Sequence, residues 1–231
     1  MEFREVTYKS ERWLVLKRKR LIAWRIMDCL RRNGLKSIVY GSIARGDVNK
    51  QSDVDVFIPY KIPSYQVEYA LERKGFQIFD RIIVQATPKY CIKAYINLDS
   101  KGLLSVSFPL VKPMRRELDF YVFGGSVGLS ELTRDIRVAG VNKRLTLIEP
   151  TKFGHVESPV IGREVEVARI LNVSPDIVLE RINTLTRRGE IGRTGVFLKY
   201  FLERGESFES ALRNISRRNV LVRKLIEERE K

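Results

Sequence analysis

A chain of 231 residues, 44% apolar and 31% charged, can bury one substantial core or two small ones. It holds no apolar run near the roughly 18 uncharged residues of a membrane span, and MEFREVTYKSER lacks the apolar centre of a secretory signal. The composition therefore argues against a membrane protein and leads us to expect a cytoplasmic one. The net charge of +15 favours polyanionic partners over basic ones.

That charge is uneven. Residues 1–150 carry 27 Lys and Arg against 16 Asp and Glu, whereas residues 151–231 carry 16 against 12. Cys29 and Cys91 sit in apolar surroundings and read as reduced core residues. With His155 the only histidine, the soft ligands of a zinc site are lacking. His155 itself reads as a structural hydrogen-bonding residue.

In chain order, Glu11 to Arg32 predicts a helix stopped by Asn33-Gly34. A turn of about 100° per residue gathers Val15, Leu16, Ile22, Ala23, Ile26, Met27, Cys29 and Leu30 on one side. The other side collects Lys17, Arg18, Arg20, Arg25, Arg31 and Arg32 with Trp13 and Trp24, Lys19 being out of place. Such a face can hold a nucleic-acid backbone and stack bases. Packing of the tryptophans on a neighbouring element, with solvated charges around them, is the other reading.

A short strand, Ser37 to Tyr40, leads into Gly41-Ser42, and an alternating strand runs from Asp53 to Ile58. Residues 65–74 suit a helix. Ile82 to Ala86, Cys91 to Leu98, Leu103 to Leu110 and Glu117 to Phe123 read as strands separated by turn residues. This is an α+β pattern, a mixed sheet with helices, over a first domain of residues 1–150.

Residues two apart on a strand share a face, so Asp53 and Asp55 project together while Val54, Val56 and Ile58 point to the core. Two adjacent carboxylates repel unless a cation neutralises them, and oxygen-only ligands suit Mg²⁺ or Mn²⁺. Gly41 permits a sharp turn with an accessible amide, Ser42 adds a hydroxyl, and Arg45 brings a fixed charge. That combination suits a phosphate.

The stretch GSIARG followed by SDVDVF resembles the signature of the polymerase-β-type nucleotidyltransferase superfamily, Gly-Ser-x-x-x-Gly then Asp-x-Asp. A motif close to it also appears in archaeal CCA-adding enzymes. The resemblance implies a nucleotidyltransferase fold, a divalent metal at Asp53 and Asp55, and a nucleoside triphosphate bound by Gly41, Ser42 and Arg45. It also implies a third carboxylate on a neighbouring strand, for which Asp119 in RRELDFYVFGG is the candidate and Glu117 the alternative. A carboxylate central to an apolar strand is expensive without a ligand role, which favours Asp119. Gly124-Gly125-Ser126, with Arg134 and Gly140 beyond, resembles the loop and helix by which family X DNA polymerases contact the incoming nucleotide. Glycine stands here where threonine is common, and a plain glycine turn is the other reading.

Residues 151–231 form the expected second domain. Glu164 to Val173 reads as a helix, and Ser174-Pro175-Asp176 starts a second one that runs to Arg188 before Gly189. A hairpin over Glu190 to Leu198, turning near Thr194-Gly195, completes the order of a winged helix-turn-helix. Helical segments over 197–204 and 207–229 close the chain. Arg181 and Arg188 on the second helix, joined by Arg193 in the wing, are the expected nucleic-acid contacts there, as Arg18 and Arg25 are on the first helix, with docking of a protein the other reading of such a domain.

The reading is an Mg²⁺- or Mn²⁺-dependent enzyme that moves a nucleoside monophosphate from an NTP or dNTP to a hydroxyl and releases pyrophosphate. The acceptor is a nucleic-acid end, RNA ahead of DNA. A nucleic-acid-binding regulator that senses nucleotide without turnover is one alternative, and a protein-modifying (AMPylating) antitoxin-type transferase is another.

Overall fold

The computed structural model describes residues 3–192 and 195–230. Strand β1 (Arg4–Thr7) precedes the long helix α1 (Ser10–Arg32), which stops where Asn33-Gly34 predicts. Then come β2 (Ile38–Tyr40), a single turn of helix α2 (Ser42–Arg45), β3 (Val54–Phe57) and α3 (Ser64–Arg73). Strands β4 (Asp80–Gln85), β5 (Lys93–Asn97) and β6 (Leu104–Pro109) follow, all at the apolar runs that predict them.

The next segment departs from expectation. Residues Arg115–Phe123 form helix α4, not a strand. The period-two run Leu118, Phe120, Val122 is interrupted by apolar Tyr121 and Phe123. A helix start decides the matter: Glu117, third in the helix, reaches back to accept from the Met114 amide at 2.7 Å. Beyond lie β7 (Ser126–Gly128), α5 (Leu129–Thr133), β8 (Gly140–Val141), β9 (Thr146–Thr151) and β10 (Gly154–Pro159).

Helix α6 (Glu164–Leu171) ends at Asn172, which takes the left-handed conformation. Helix α7 (Pro175–Ile191) starts as its sequence predicts, with the Ser174 hydroxyl accepting from the Asp176 amide and proline in the first turn. It runs through Gly189 to a cap at Gly192, so Glu190 and Ile191 are helical. Strand β11 (Leu198–Phe201) replaces the helix expected over 197–204 and pairs with β4, not with a wing partner. Tyr200 and Phe201 suit a strand. Arg193 and Thr194, where the wing contact and its turn were expected, lie outside the described residues. Helices α8 (Phe208–Arg218) and α9 (Val220–Glu230) divide at Asn219, whose side chain accepts from the Leu221 and Val222 amides.

The elements fall into two compact units. One comprises residues 1–25, 38–54 and 118–194. Within it β1, β10, β9 and β8 form an antiparallel sheet in that order, and β2 pairs antiparallel with β7. Its core gathers Phe123, Val141, Leu147, Val160, Val167, Leu171, Ile177 and Val178, so the amphipathic faces of α6 and α7 close over β8 and β9. The other unit comprises residues 26–37, 55–117 and 195–231. Its strands run in the order β11, β4, β5, β6, β3, and the first three pairings are antiparallel. The Phe108 and Phe208 rings meet edge to face, with centroids 5.7 Å apart, and tie α8 to this sheet. The architecture is a mixed α+β one.

Candidate functional site

The segment 41–57 carries the expected chemistry in two parts. Along 53–56 the side chains alternate: Asp53 and Asp55 are half-buried, and Val54 and Val56 are at 2% and 0% exposure. The apolar residues anchor the strand and leave both carboxylates on its accessible side. On the adjacent strand β6, the Ser105 hydroxyl donates to Asp55 Oδ1 at 2.7 Å. Ser107, two residues further on the same face, has a buried hydroxyl with no hydrogen-bond partner.

Ser105 is absent from the sequence-based site. The signal that would find it is the pair of serines at alternate positions within LSVSF, polar residues on one face of an otherwise apolar strand. Residues Leu104–Pro109 contain no Asp or Glu, so the third carboxylate implied for a neighbouring strand is not on β6. Asp119 is half-buried on helix α4, and the argument from its place in an apolar strand does not apply. Among the described residues no three His, Cys, Asp or Glu side chains are gathered to hold a metal ion.

Asp53 and Asp55 alone fit such an ion by donor type. Both are hard oxygen ligands with accessible faces, and Mg²⁺ or Mn²⁺ commonly takes one or two protein carboxylates and completes its shell with water and substrate phosphate.

The Gly-Ser turn differs in detail from its sequence reading. Gly41 has φ +77°, the left-handed region that favours glycine. Its amide is not open to a phosphate, because it donates to the Gly125 carbonyl at 2.9 Å and prolongs the β2–β7 pairing. The Gly41 carbonyl in turn accepts from Ala44 and Arg45, closing the turn of α2. The Ser42 and Ile43 amides, in the first turn, have no intrahelical acceptor.

Arg45 is likewise a structural residue. At 5% exposure its guanidinium pairs with both oxygens of Asp47, at 3.0 and 3.1 Å, and donates to the Gly124 carbonyl at 2.5 Å. Asp47 thus neutralises the charge expected to meet a phosphate, although its place two residues downstream is plain in the sequence. The same packing accounts for Gly124-Gly125-Ser126. Gly125 has φ +78°, and a Cβ there would lie 2.8 Å from Arg45 Cγ. A Cβ on Gly140 would lie 2.5 Å from the Gly125 amide nitrogen. Ser126 sits in β7 opposite Tyr40. These glycines are needed for close backbone approach.

Of the expected nucleic-acid contacts, Arg18 and Arg25 are exposed on α1 and Arg188 is exposed on α7, while Arg181 lies over the Phe120 ring at 4.8 Å. Arg20, expected on the same basic face, is instead 4% exposed and donates to the Ile136 carbonyl at 2.6 Å. Burial lowers its pKa from the ordinary arginine value. The tryptophans pack against neighbours: Trp24 donates to Thr133 Oγ1, and Arg137 lies 4.8 Å above the Trp13 ring. His155 is buried between Tyr8 Oη at 2.5 Å and Glu157 at 3.2 Å, in the structural role expected of it. Both cysteines are buried and free.

Residues 24–107 match the family model described as a nucleotidyltransferase domain. No curated protein and no solved structure matches the chain. The matched stretch contains Gly41, Ser42, Asp53, Asp55 and Ser105, and it ends before Asp119, Gly125 and Ser126. No helix among the described residues is long and apolar enough to cross a membrane. The motif lies inside the matched stretch, which supports a polymerase-β-type nucleotidyltransferase domain over residues 24–107.

Proposed function

We propose that this protein transfers a nucleoside monophosphate from an NTP or dNTP to a hydroxyl at the end of a nucleic acid, RNA ahead of DNA. The observation that carries the reading is the alternation of half-buried Asp53 and Asp55 with buried Val54 and Val56, inside a nucleotidyltransferase domain. In the reaction the acceptor oxygen bonds to the α-phosphorus, the bond from that phosphorus to the bridging oxygen breaks, and pyrophosphate leaves.

Asp53 and Asp55 would hold Mg²⁺ or Mn²⁺, which when bound stabilises the charge on the entering and leaving oxygens. Ser105 holds one Asp55 oxygen in place, so the carboxylate meets its ligand without reorganising. The proton of the acceptor hydroxyl passes to whichever carboxylate of the pair touches it, and from there to water. The half-buried Ser42 hydroxyl would face the triphosphate. Exposed Arg18, Arg25 and Arg188, with Arg181, meet the phosphates of the acceptor strand. The +15 charge supports a polyanionic acceptor over a small neutral one.

One observation favours a second reading, a regulator that binds nucleotide and nucleic acid without turnover. Strand β6 offers Ser105 and Ser107 beside β3, where the resemblance implies a carboxylate.

Incubation with each α-labelled NTP, Mg²⁺ and either RNA or DNA ends separates the readings. Label on nucleic-acid ends supports transfer to nucleic acid. Label on protein supports a protein-modifying enzyme, and tight nucleic-acid binding with no label transfer supports the regulator.

A further inference from the structure

Tyr65 and Tyr69 lie four apart on α3 and are 65% and 58% exposed. Large aromatic rings left in water on a folded surface mark a place where something flat and apolar docks. Both rings line an open groove of about 930 Å³ in the second unit, together with Glu72, Arg204 and Ser207.

The walls of the groove are fixed. Arg81 pairs with Glu68 at 3.1 Å and donates to the Glu203 and Glu206 carbonyls at 2.8 and 2.6 Å. Glu209 accepts from both the amide and the hydroxyl of Ser64 at 2.7 Å, joining the start of α3 to the start of α8. The groove is therefore preformed, and it combines two aromatic faces with the carboxylates of Glu68, Glu72 and Glu206 and the guanidiniums of Arg81 and Arg204, Glu68 being paired with Arg81.

Helix α8 continues from this groove with a basic surface. Residues 210–226 contain five Arg and Lys and no Asp or Glu. Arg213, Arg217, Arg218, Arg223 and Lys224 are all exposed. Arg213 and Arg217, four apart, lie on the side of α8 away from buried Phe208 and Ala211.

The chemistry this arrangement fits is a nucleotide unit within a single strand. A base offers a flat π-face to the tyrosines and amino hydrogens to Glu72, while its backbone offers phosphates to Arg204, Arg213 and Arg217. A duplex hides its base faces and does not use the tyrosines. Anionic lipid satisfies the arginines alone.

We propose that the second unit binds single-stranded nucleic acid, with one unpaired base held against Tyr65 and Tyr69 and the adjoining phosphates along Arg204, Arg213 and Arg217. This deepens the proposed function and rests on it only for the identity of the acceptor.

The test is fluorescence anisotropy of a labelled single-stranded RNA, with a duplex of equal length, ATP alone and phosphatidylserine vesicles as competitors. Tyr65→Ala with Tyr69→Ala is expected to weaken single-strand binding roughly 10- to 100-fold, since each stacked base contributes on that scale. Arg213→Ala with Arg217→Ala is expected to reduce the salt slope by about 1.4, at about 0.7 per phosphate released. All four side chains are exposed, and unchanged melting temperatures will establish that the variants fold.

Single-strand affinity untouched by the tyrosine changes overturns the proposal. So does duplex, vesicle or ATP competing as well as the single strand. Label transfer by the protein with Asp53 and Asp55 intact separates the two claims. Tyrosine-dependent binding in a protein that transfers no label keeps this surface and removes the transferase reading. Label transfer with tyrosine-insensitive binding removes this surface alone.

Discussion

Two acidic regions of the molecule use the same functional group in opposite ways. The Glu117 carboxylate is 8% exposed and accepts from the Cys91 and Met114 amides at 2.7 Å each and from Arg229 at 2.9 and 3.0 Å. It fixes α9 beneath the start of α4 and leaves no oxygen for a ligand. Asp53 and Asp55 stand two residues apart with accessible faces, and Ser105 donates to one of their oxygens. A carboxylate surrounded by donors supports the fold. A pair set side by side on a strand anchored by buried valines keeps accessible faces on which a ligand can bind. Asp47, taken up by Arg45, belongs with Glu117 in this respect.

The sharpest way to break this contrast is to remove each kind of carboxylate and measure stability. Glu117→Ala leaves Arg229 charged and nearly buried without its partner, and is expected to cost about 3–5 kcal/mol, a fall in melting temperature of roughly 10 °C. A loss within about 0.5 kcal/mol would place Glu117 among ordinary surface groups.

Ser105→Ala probes the support of the pair. Loss of a hydrogen bond to a charged group of about 1.5–3 kcal/mol predicts transfer slower by roughly 10- to 100-fold where the variant is folded, and a melting temperature lower by roughly 3–10 °C. A rate equal to that of the wild type would separate Ser105 from the chemistry.

Alkaline titration tests buried groups in each unit. Burial first, and then the neighbouring Glu117 charge, push the Cys91 thiol from 9.0 up to about 12. Burial first, and then Asp47, push Tyr8 from 10.0 to about 12. A raised pKa means that folding favours the protonated form, so this stability is full below pH 9 and is lost as pH rises from about 9 to about 12. Cys91→Ala is expected to flatten the first part of that decline. An unchanged slope in chemical denaturation against pH would contradict it.

The smallest expected effect is also diagnostic. Asp53→Asn with Asp55→Asn, without divalent ions, should change stability by no more than about 1 kcal/mol, because both side chains are half-buried and an amide oxygen still accepts from Ser105. Marked destabilisation would make the pair structural, like Glu117.

How much of this was legible in the sequence depends on how far the deciding contacts reach. The Asp53 to Asp55 alternation, the α1 stop at Asn33-Gly34 and the Ser174-Pro175 start are settled by neighbours within a few residues, and each stands where it was read. Residues 115–123 deceived because a period-two run lies inside an apolar stretch, while Glu117 is fixed by Arg229, 112 residues away. Leu198–Phe201 looked helical until β4 supplied its pairing partner. The Gly41 amide is taken by Gly125, a long-range match that local composition does not carry. Asp47 was different, since it lies two residues from the arginine it neutralises and its sign was there to be read.

The most direct test of the account is transfer of label from an α-labelled NTP to a nucleic-acid end by the wild type and by Asp53→Ala, Asp55→Ala, in Mg²⁺ and in chelator. Wild-type transfer is expected to require the divalent ion, and to fall by about 10³-fold or more in the double variant with its melting temperature retained. Transfer that persists in a folded double variant, or that proceeds equally well in chelator, would contradict the assignment of Asp53 and Asp55.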